Sequence, residues 1–391
     1  MKRGRVEVLA DQVIHQDYYA RFTEKGLPKR VDEAWRYSRA DWLGQSSWAI
    51  PEMDEKFQQI EGPGGVLHFA KGQCQWTQLP EGVSLEVTDH MGWRASDIKD
   101  SLVDLIQAIT PVVYVLKVSS GVKVKTPISI KISNDQSHIL MPVMLQVICE
   151  EGAELVIQEN LELQKGAAMM MVQATVANRA NLKWARLDGV SNGAYALRYL
   201  HAEVAEKGFF EQGHLGAVAG QVKSLSQIDL MGENAKANCL SVALSRNKEI
   251  VDHQTTIRHQ ASLTTSLQKC RSLLDDDSLQ VFNSKVKVDE GIRKVDSEQQ
   301  HKSMLLSKSA RVYTKPELEI YADDVRCNHG AAVGQFDPLA LFYLKSRGMD
   351  DVGAKSLMVK AFVGDILALW SSGIQGFLTP RLEEVLAKWV T

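Results

Sequence analysis

Cys327 and His329 are the pair of residues with the clearest chemical potential in this chain. They close the run Tyr313-Thr314-Lys315-Pro316-Glu317-Leu318-Glu319-Ile320-Tyr321-Ala322-Asp323-Asp324-Val325-Arg326-Cys327-Asn328-His329-Gly330. Leu318, Ile320 and Ala322 alternate with Glu317, Glu319 and Tyr321, which predicts a strand. Two residues apart on an extended chain, Cys327 and His329 project to the same side. A soft thiolate beside an imidazole is half of a site for iron or an iron–sulfur species. Two donors are too few, so a second chain or a substrate would have to complete the shell. A cap turn with a packed cysteine and a surface histidine accounts for the same spacing.

Other candidates carry less. Cys74, Cys149, Cys239 and Cys270 are scattered, and no pair has CxxC spacing, so neither a zinc site nor a thioredoxin-type motif is suggested. His253 and His259 are six apart on a strand pattern and would share a face, but no neighbouring acid or cysteine completes a metal shell. They read as ordinary surface histidines. The run Asp275-Asp276-Asp277 reads as a solvated turn. A second reading is a β-helix enzyme acting on polysaccharides with paired carboxylates such as Asp323 and Asp324. Adjacent strand residues point to opposite faces, which makes them a poor acid/base pair. The P-loop and the HExxH motif are missing from the sequence.

The elements that must position Cys327 and His329 come from a long section of short alternating runs. Ile128, Ile130 and Ile132 alternate with Ser129, Lys131 and Ser133, and Leu155, Ile157, Leu161 and Leu163 keep a similar beat. A turn followed by a small residue recurs at Gly152-Ala153, Arg179-Ala180, Lys207-Gly208 and Asn234-Ala235, in steps of 27, 28 and 27 residues, with an earlier copy at Ser120-Gly121. No helical pattern separates these strands. A β-solenoid, in which stacking covers each coil's inward row, fits; an ordinary β-sandwich fits the alternation as well. Both ends read helical. Ala34, Trp35, Trp42 and Leu43 share a face after the breaker Gly26-Leu27-Pro28. Asp337 and Pro338 suit an N-cap and first helical position, and Gly348 ends that helix after Lys345 and Arg347. Ala354, Leu357, Met358, Ala361, Phe362, Ile366 and Leu369 are expected to form the next helix's packing stripe. The boundaries fall at 1–105, 106–335 and 336–391.

Composition bounds the function. The chain has 391 residues and a formal charge of −3, which excludes dominance by phosphate-backbone binding, so no nucleic acid is expected. No run of about 18 apolar residues exists, so no membrane span is expected. The opening MKRGRVEVLADQVIHQ has no apolar run of a secretory signal, and five scattered cysteines do not form a disulfide framework. A cytoplasmic protein is expected.

The segment TKPELEIYADDVRCNHGAAVGQFDPLALFYLKSRGM resembles the signature of the SufB/SufD family of iron–sulfur cluster assembly proteins, in its SufD branch. The likeness continues through Val281-Phe282-Asn283-Ser284-Lys285-Val286 and Met304-Leu305-Leu306-Ser307. Near the start, Gly26-Leu27-Pro28-Lys29-Arg30 and Asp32-Glu33-Ala34-Trp35-Arg36-Tyr37 also resemble the family. What the resemblance implies is mainly β: a right-handed parallel β-helix between helical N- and C-terminal domains. It also implies a non-catalytic scaffold subunit that pairs with SufB through the β-helix, while the C-terminal helices hold the SufC ATPase. The docking region would include Asp337, Leu341, Phe342, Tyr343, Leu344, Arg347, Ala361 and Phe362. The histidine that faces a SufB cysteine in the family maps onto His329, with Cys327 in support. Iron or a transient Fe–S cluster would be shared at that interface, and no cofactor would be held tightly by the chain alone. A reduced flavin in the assembled complex, and a homodimer of this chain without SufB, are further states compatible with the resemblance.

Overall fold

The structure is a computed structural model that describes residues 13–45, 48–51, 58–62, 64–89 and 91–389. Two long sheets run its length among the described residues. One holds β1 (Gln58–Gln59), β2 (Val66–Ala70), β3 (Gln73–Trp76), β6 (Ile128–Asn134), β8 (Glu154–Leu163), β10 (Asn181–Val190), β12 (Phe209–Val218), β14 (Lys236–Ser245), β16 (Thr265–Leu274), β18 (Val295–Leu305) and β20 (Val325–Gln335). The other holds β4 (Val83–Thr88), β5 (Val113–Val118), β7 (Leu140–Cys149), β9 (Ala167–Val176), β11 (Tyr195–Val204), β13 (Gln221–Leu230), β15 (Ile250–His259), β17 (Leu279–Val288) and β19 (Arg311–Ile320). From β5 and β6 onward the chain alternates between the sheets, and each strand pairs in parallel with the strand one coil further on. This is a β-solenoid of about eight turns, not a sandwich of hairpins.

The recurring turn of the sequence is the corner of each coil. Gly152, Arg179, Lys207 and Asn234 all have positive φ, between 54° and 68°. The amides of Gly152, Arg179 and Lys207 donate to the carbonyls of Asn178, Glu206 and Glu233 in the next coil, each at 2.9 Å. The corner amides are thus satisfied by the stack itself. The following residue faces inward where the chain bends, and Ala153, Ala180 and Ala235 are buried there. At Gly208 a Cβ would stand 2.9 Å from Val204 Cγ1 and 3.0 Å from the Ala205 carbonyl oxygen, so even alanine is too large.

The space between the sheets changes character along the axis. In the early coils the inward rows are apolar: Ile128, Ile130, Leu155, Ile157, Met170, Val172, Leu182 and Leu200 lie in one cluster. In the later coils they turn polar. Buried inward residues there include Ser241, Ser266, Gln268, Ser272, Gln280, Ser284, Ser297, Gln299, His301 and Ser303. The transition is marked by a buried ion pair across the two sheets, Arg198 on β11 with Glu159 on β8, whose carboxylate also accepts from Trp184 Nε1 at 2.8 Å.

Helices cover both outer faces. α1 (Gln16–Lys25), α2 (Asp41–Gln45) and α3 (Ser101–Ile109) lie with Trp35, Trp42, Leu43 and Trp48 over Met144, Met169, Met171, Tyr199 and Leu225 of the second sheet. The expected helical stretch 1–105 also contains β2, β3 and β4, which join the sheets because runs such as Val66-Leu67-His68-Phe69-Ala70 alternate. Residues 1–12 of the opening segment lie outside the described residues. At the other end α4 (Pro338–Ser346), α5 (Asp351–Leu367) and α6 (Ser372–Trp389) follow β20. α6 lies against β8, β10 and β12, and α5 against β14 and β16. The packing stripe of α5 is Ala354, Val359, Val363 and Ile366. Leu357, Ala361 and Leu369 of the expected stripe are exposed instead. Among the described residues no helix is long and apolar enough to cross a membrane.

Candidate functional site

The last coil consists of β19, a turn through Asp323 and Asp324, and β20. β19 pairs only with β17, and β20 only with β18, so the far edge of each strand has no partner strand among the described residues. Asp323 and Asp324 are exposed on the turn. The Asp324 carbonyl accepts from the Lys294 amide at 2.6 Å, continuing the corner pattern of earlier coils.

Register fixes where Cys327 and His329 point. Ser297 pairs with Cys327 and Gln299 with His329, and Ser297 and Gln299 are inward residues of β18. Cys327 and His329 therefore belong to the inward row, as their two-residue spacing predicts, on a coil that no further coil covers. Cys327 is half-buried against Val286, Val288, Val295 and Leu318. Burial, followed by the Asp296 carboxylate, pushes its thiol up from the ordinary cysteine range. His329 is exposed. Val333, in the same row, is 50% exposed, and Tyr313, Ile320 and Tyr321 add further exposed apolar surface at this end. The Cα atoms of such same-face neighbours on a strand lie about 7 Å apart.

The N-terminal segment braces this coil from outside. Tyr37 stacks on Tyr313 with ring centroids 4.0 Å apart, and Lys315 pairs with Glu33 and Glu317. Lys285 pairs with Glu319 at 2.8 Å. These contacts hold β19 in register without using the inward row.

The C-terminal residues singled out from the sequence form a separate surface. The Asp337 side chain accepts from the Leu339 amide at 2.9 Å, the N-cap its position predicts. No residue of α4 is buried. Phe342 and Tyr343 are 70% and 62% exposed; Leu341 and Leu344 are half-buried, and Arg347 is exposed at the helix end. On α5, Phe362 is half-buried and packs at the margin of the helix–sheet core, while Ala361 is exposed. α4 thus presents aromatic side chains to solvent that no described residue covers.

One cluster escapes sequence reading. His253 is not a surface residue: it is an inward residue of β15 and buried, as is His259. His259 is satisfied by Thr264 at 2.7 Å and Ser266 at 2.9 Å. His253 instead meets Asp188 of β10 and His214 of β12 across the interior, with one donor atom from each within 4.8 Å of the others. The acid that the local sequence lacks comes from another coil.

Fold and site together define a β-solenoid flanked by helices, ending in an uncovered coil that carries a thiol and an imidazole on its inward row. Residues 132–362 match the family model of the SUF system FeS cluster assembly SufBD core domain. The chain belongs to this SufBD family, which acts in iron–sulfur cluster assembly by the SUF system. It is 26% identical to the iron-sulfur cluster assembly protein SufD of Escherichia coli (strain K12), over 95% of this chain and 92% of that protein. It is 36% identical to a SufBD family protein of Synechocystis over a shorter stretch, 36% of this chain and 31% of that one. To SufD of Bacillus subtilis it is 23% identical over 64% of this chain and 59% of that protein.

Proposed function

We propose that this chain is a scaffold subunit, not an enzyme, which uses its last coil as one half of a cluster-assembly interface. The occupant of the other half is a homologous β-solenoid of SufB type. What carries this reading is the uncovered inward row: His329 and Cys327 on β20, beside Val333, with free backbone edges on β19 and β20. Free strand edges pair readily with another sheet. A second solenoid stacked end to end would satisfy those edges and bury the exposed apolar residues. It would also bring its own donors to His329, whose imidazole alone cannot complete a metal shell. Iron or a nascent cluster is substrate at that seam. Cys327, nearer the interior, is the supporting donor.

The exposed aromatic face of α4, with Leu341, Phe342, Tyr343, Leu344 and Arg347, is the docking surface for the SufC ATPase. The contacts of α5 and α6 on the solenoid would carry ATP-driven motion into the sheets. Arg271 of β16 is an obvious coupling point: it pairs with Asp365 of α5 and donates to Gln300 at 2.6 Å.

Co-expression of the chain with SufB and SufC tests the reading. His329→Ala should leave the complex intact and lower its cluster content after anaerobic reconstitution, read by absorbance. Val333→Asp should abolish co-purification of SufB while sparing the isolated chain's melting temperature. Unchanged cluster content in the first variant, or unchanged SufB capture in the second, contradicts it.

A further inference from the structure

The interior of the solenoid holds a second constellation, distant from the end-coil seam. Asp188, His214 and His253 come from β10, β12 and β15, and all three are buried. His214 and His253 border a cavity of about 30 Å³ whose wall also includes Arg186, which grips Asp188, and Gln212, Cys239, Ser241, Thr255 and Gln268. That volume suits one small ion or one water.

Three observations separate this cluster from a hydrogen-bond network that merely fills the core. First, it is oriented from behind. Asp188 is gripped by Arg186 at 3.0 Å and 2.6 Å. His214 Nδ1 is paired with the Ser241 hydroxyl at 2.9 Å, which turns its Nε2 toward Asp188 Oδ2 at 3.0 Å. Fixing the remote imidazole nitrogen and anchoring the carboxylate from behind is how proteins hold the ligands of a metal. Second, the cluster is unfinished. His253 Nε2 is buried and has no hydrogen-bond partner, although its ring lies 4.5 Å from that of His214. An unpaired buried polar atom costs about 1–3 kcal/mol, which a purely structural network would avoid. Third, a polar line to the solenoid's end runs beside it. Gln212, Cys239, Gln268, Gln299 and His329 occupy one column of the sheet, each in register with the next. Unpartnered polar atoms recur along it: Gln212 Nε2, Gln268 Oε1, and both amide atoms of Gln299. At roughly 4.8 Å per strand this column spans about 19 Å, with no aliphatic side chain in it.

We infer that Asp188, His214 and His253 form a binding site for one divalent first-row transition-metal ion inside the solenoid, with the adjoining cavity as its open coordination position. A carboxylate and two imidazoles suit Fe²⁺, Co²⁺ or Zn²⁺, and an all-oxygen ion such as Mg²⁺ would be disfavoured. Metal–donor distances near 2.1 Å require the three donors to draw together, and the single proton of neutral His214 then sits on Nδ1, donated to Ser241 Oγ, which leaves the Nε2 lone pair for the ion. Arg186 balances Asp188, so the ion's charge favours one more anionic donor, and Cys239 on the cavity wall supplies a thiol for it.

The full-length chain, stripped with a chelator and titrated anaerobically with Co²⁺, tests this. Bound Co²⁺ should appear as ligand-field absorption saturating at one ion per chain, retained through gel filtration. His253→Ala should weaken binding by at least about tenfold, by analogy with losses seen on removing even supporting groups. Its Nε2 has no partner, so the substitution strands no hydrogen bond there; His253→Phe keeps the volume should the smaller residue loosen the core. His138→Asn, at an exposed histidine outside both sites, should bind as the unaltered chain does. Failure of the unaltered chain to retain the ion overturns the inference. So does binding that survives both His253 substitutions. None of these outcomes touches the end-coil seam, which is read by SufB capture and cluster content.

Discussion

Gln299 stands directly beneath His329 in the register of β18 and β20, and neither polar atom of its buried amide has a hydrogen-bond partner among the described residues. The exposed imidazole of the last coil thus rests on a primary amide with unused donors and an unused acceptor. In an isolated chain this is a cost. At a seam completed by a second subunit, the same amide is free to orient His329 or a ligand beside it.

Gln299→Leu should therefore separate stability from function. Removing an unsatisfied buried amide relieves a penalty of about 1–3 kcal/mol, so the isolated chain should melt at or above the temperature of the unaltered protein. Cluster content of the complex with SufB should fall. Calorimetry on the free chain and absorbance of the reconstituted complex measure the two. A lower melting temperature with normal cluster content would place Gln299 in the core alone.

The polar later coils make a pH prediction. Burial holds His259 at about 4 and His301 at about 4. In the unfolded chain these imidazoles titrate near 6.5, so below that value the unfolded state binds the extra proton first. Folding stability should be unaffected by them above about pH 6.5, decline as pH falls through that point, and level off near pH 4. Each contributes a loss of about 3 kcal/mol over the window, as an order of magnitude. Urea unfolding at stepped pH should show this slope, and His259→Gln should flatten it. Stability that is level from pH 7 to 4 would contradict the burial argument.

Part of this architecture was legible beforehand because it rests on local rules. The corner turn at Gly152, Arg179, Lys207 and Asn234 repeats with its small inward residue, and period-two alternation gave the strands between. Cys327 and His329 could be assigned a common side from spacing alone. The interior of the later coils was not legible. On β16 the inward residues Ser266, Gln268 and Ser272 are polar, while the outward Leu267 and Leu273 are apolar because α5 and its neighbours cover them. Alternation reports two faces without saying which is the core. His253 was misread as a surface residue for the same reason. Its partners Asp188 and His214 come from other coils, and only parallel stacking brings the three together.

Buried charge offers a further prediction. Glu159 and Arg198 are both essentially inaccessible and pair across the two sheets, with Trp184 donating to the same carboxylate. Breaking one side strands the other. Glu159→Ala should destabilise the chain by about 3–5 kcal/mol, whereas the double variant Glu159→Met, Arg198→Met should recover most of that loss. Equilibrium unfolding of both variants decides it. Equal destabilisation would mean the pair's hydrogen bonds, not its charge balance, hold the sheets together.

The attachment of the C-terminal helices rests on a narrower point. Gly213 faces outward on β12 under α6, where a Cβ would lie 2.2 Å from Ile374 Cγ2 and 3.3 Å from Trp370 Nε1. Side chains at 2.2 Å cannot coexist, so even alanine must push α6 off the sheet or rotate Ile374 out of a fully buried position. The corner hydrogen bonds and interior rows lie on the other side of the strand and should persist. Gly213→Val should therefore leave the β-rich circular dichroism spectrum intact while exposing the segment after β20 to limited proteolysis. In the complex it should lower cluster content without preventing SufB capture, because the end coil is untouched while the path from α5 and α6 into the sheets is loosened. Protection equal to that of the unaltered chain would show that α6 can dock without this close approach.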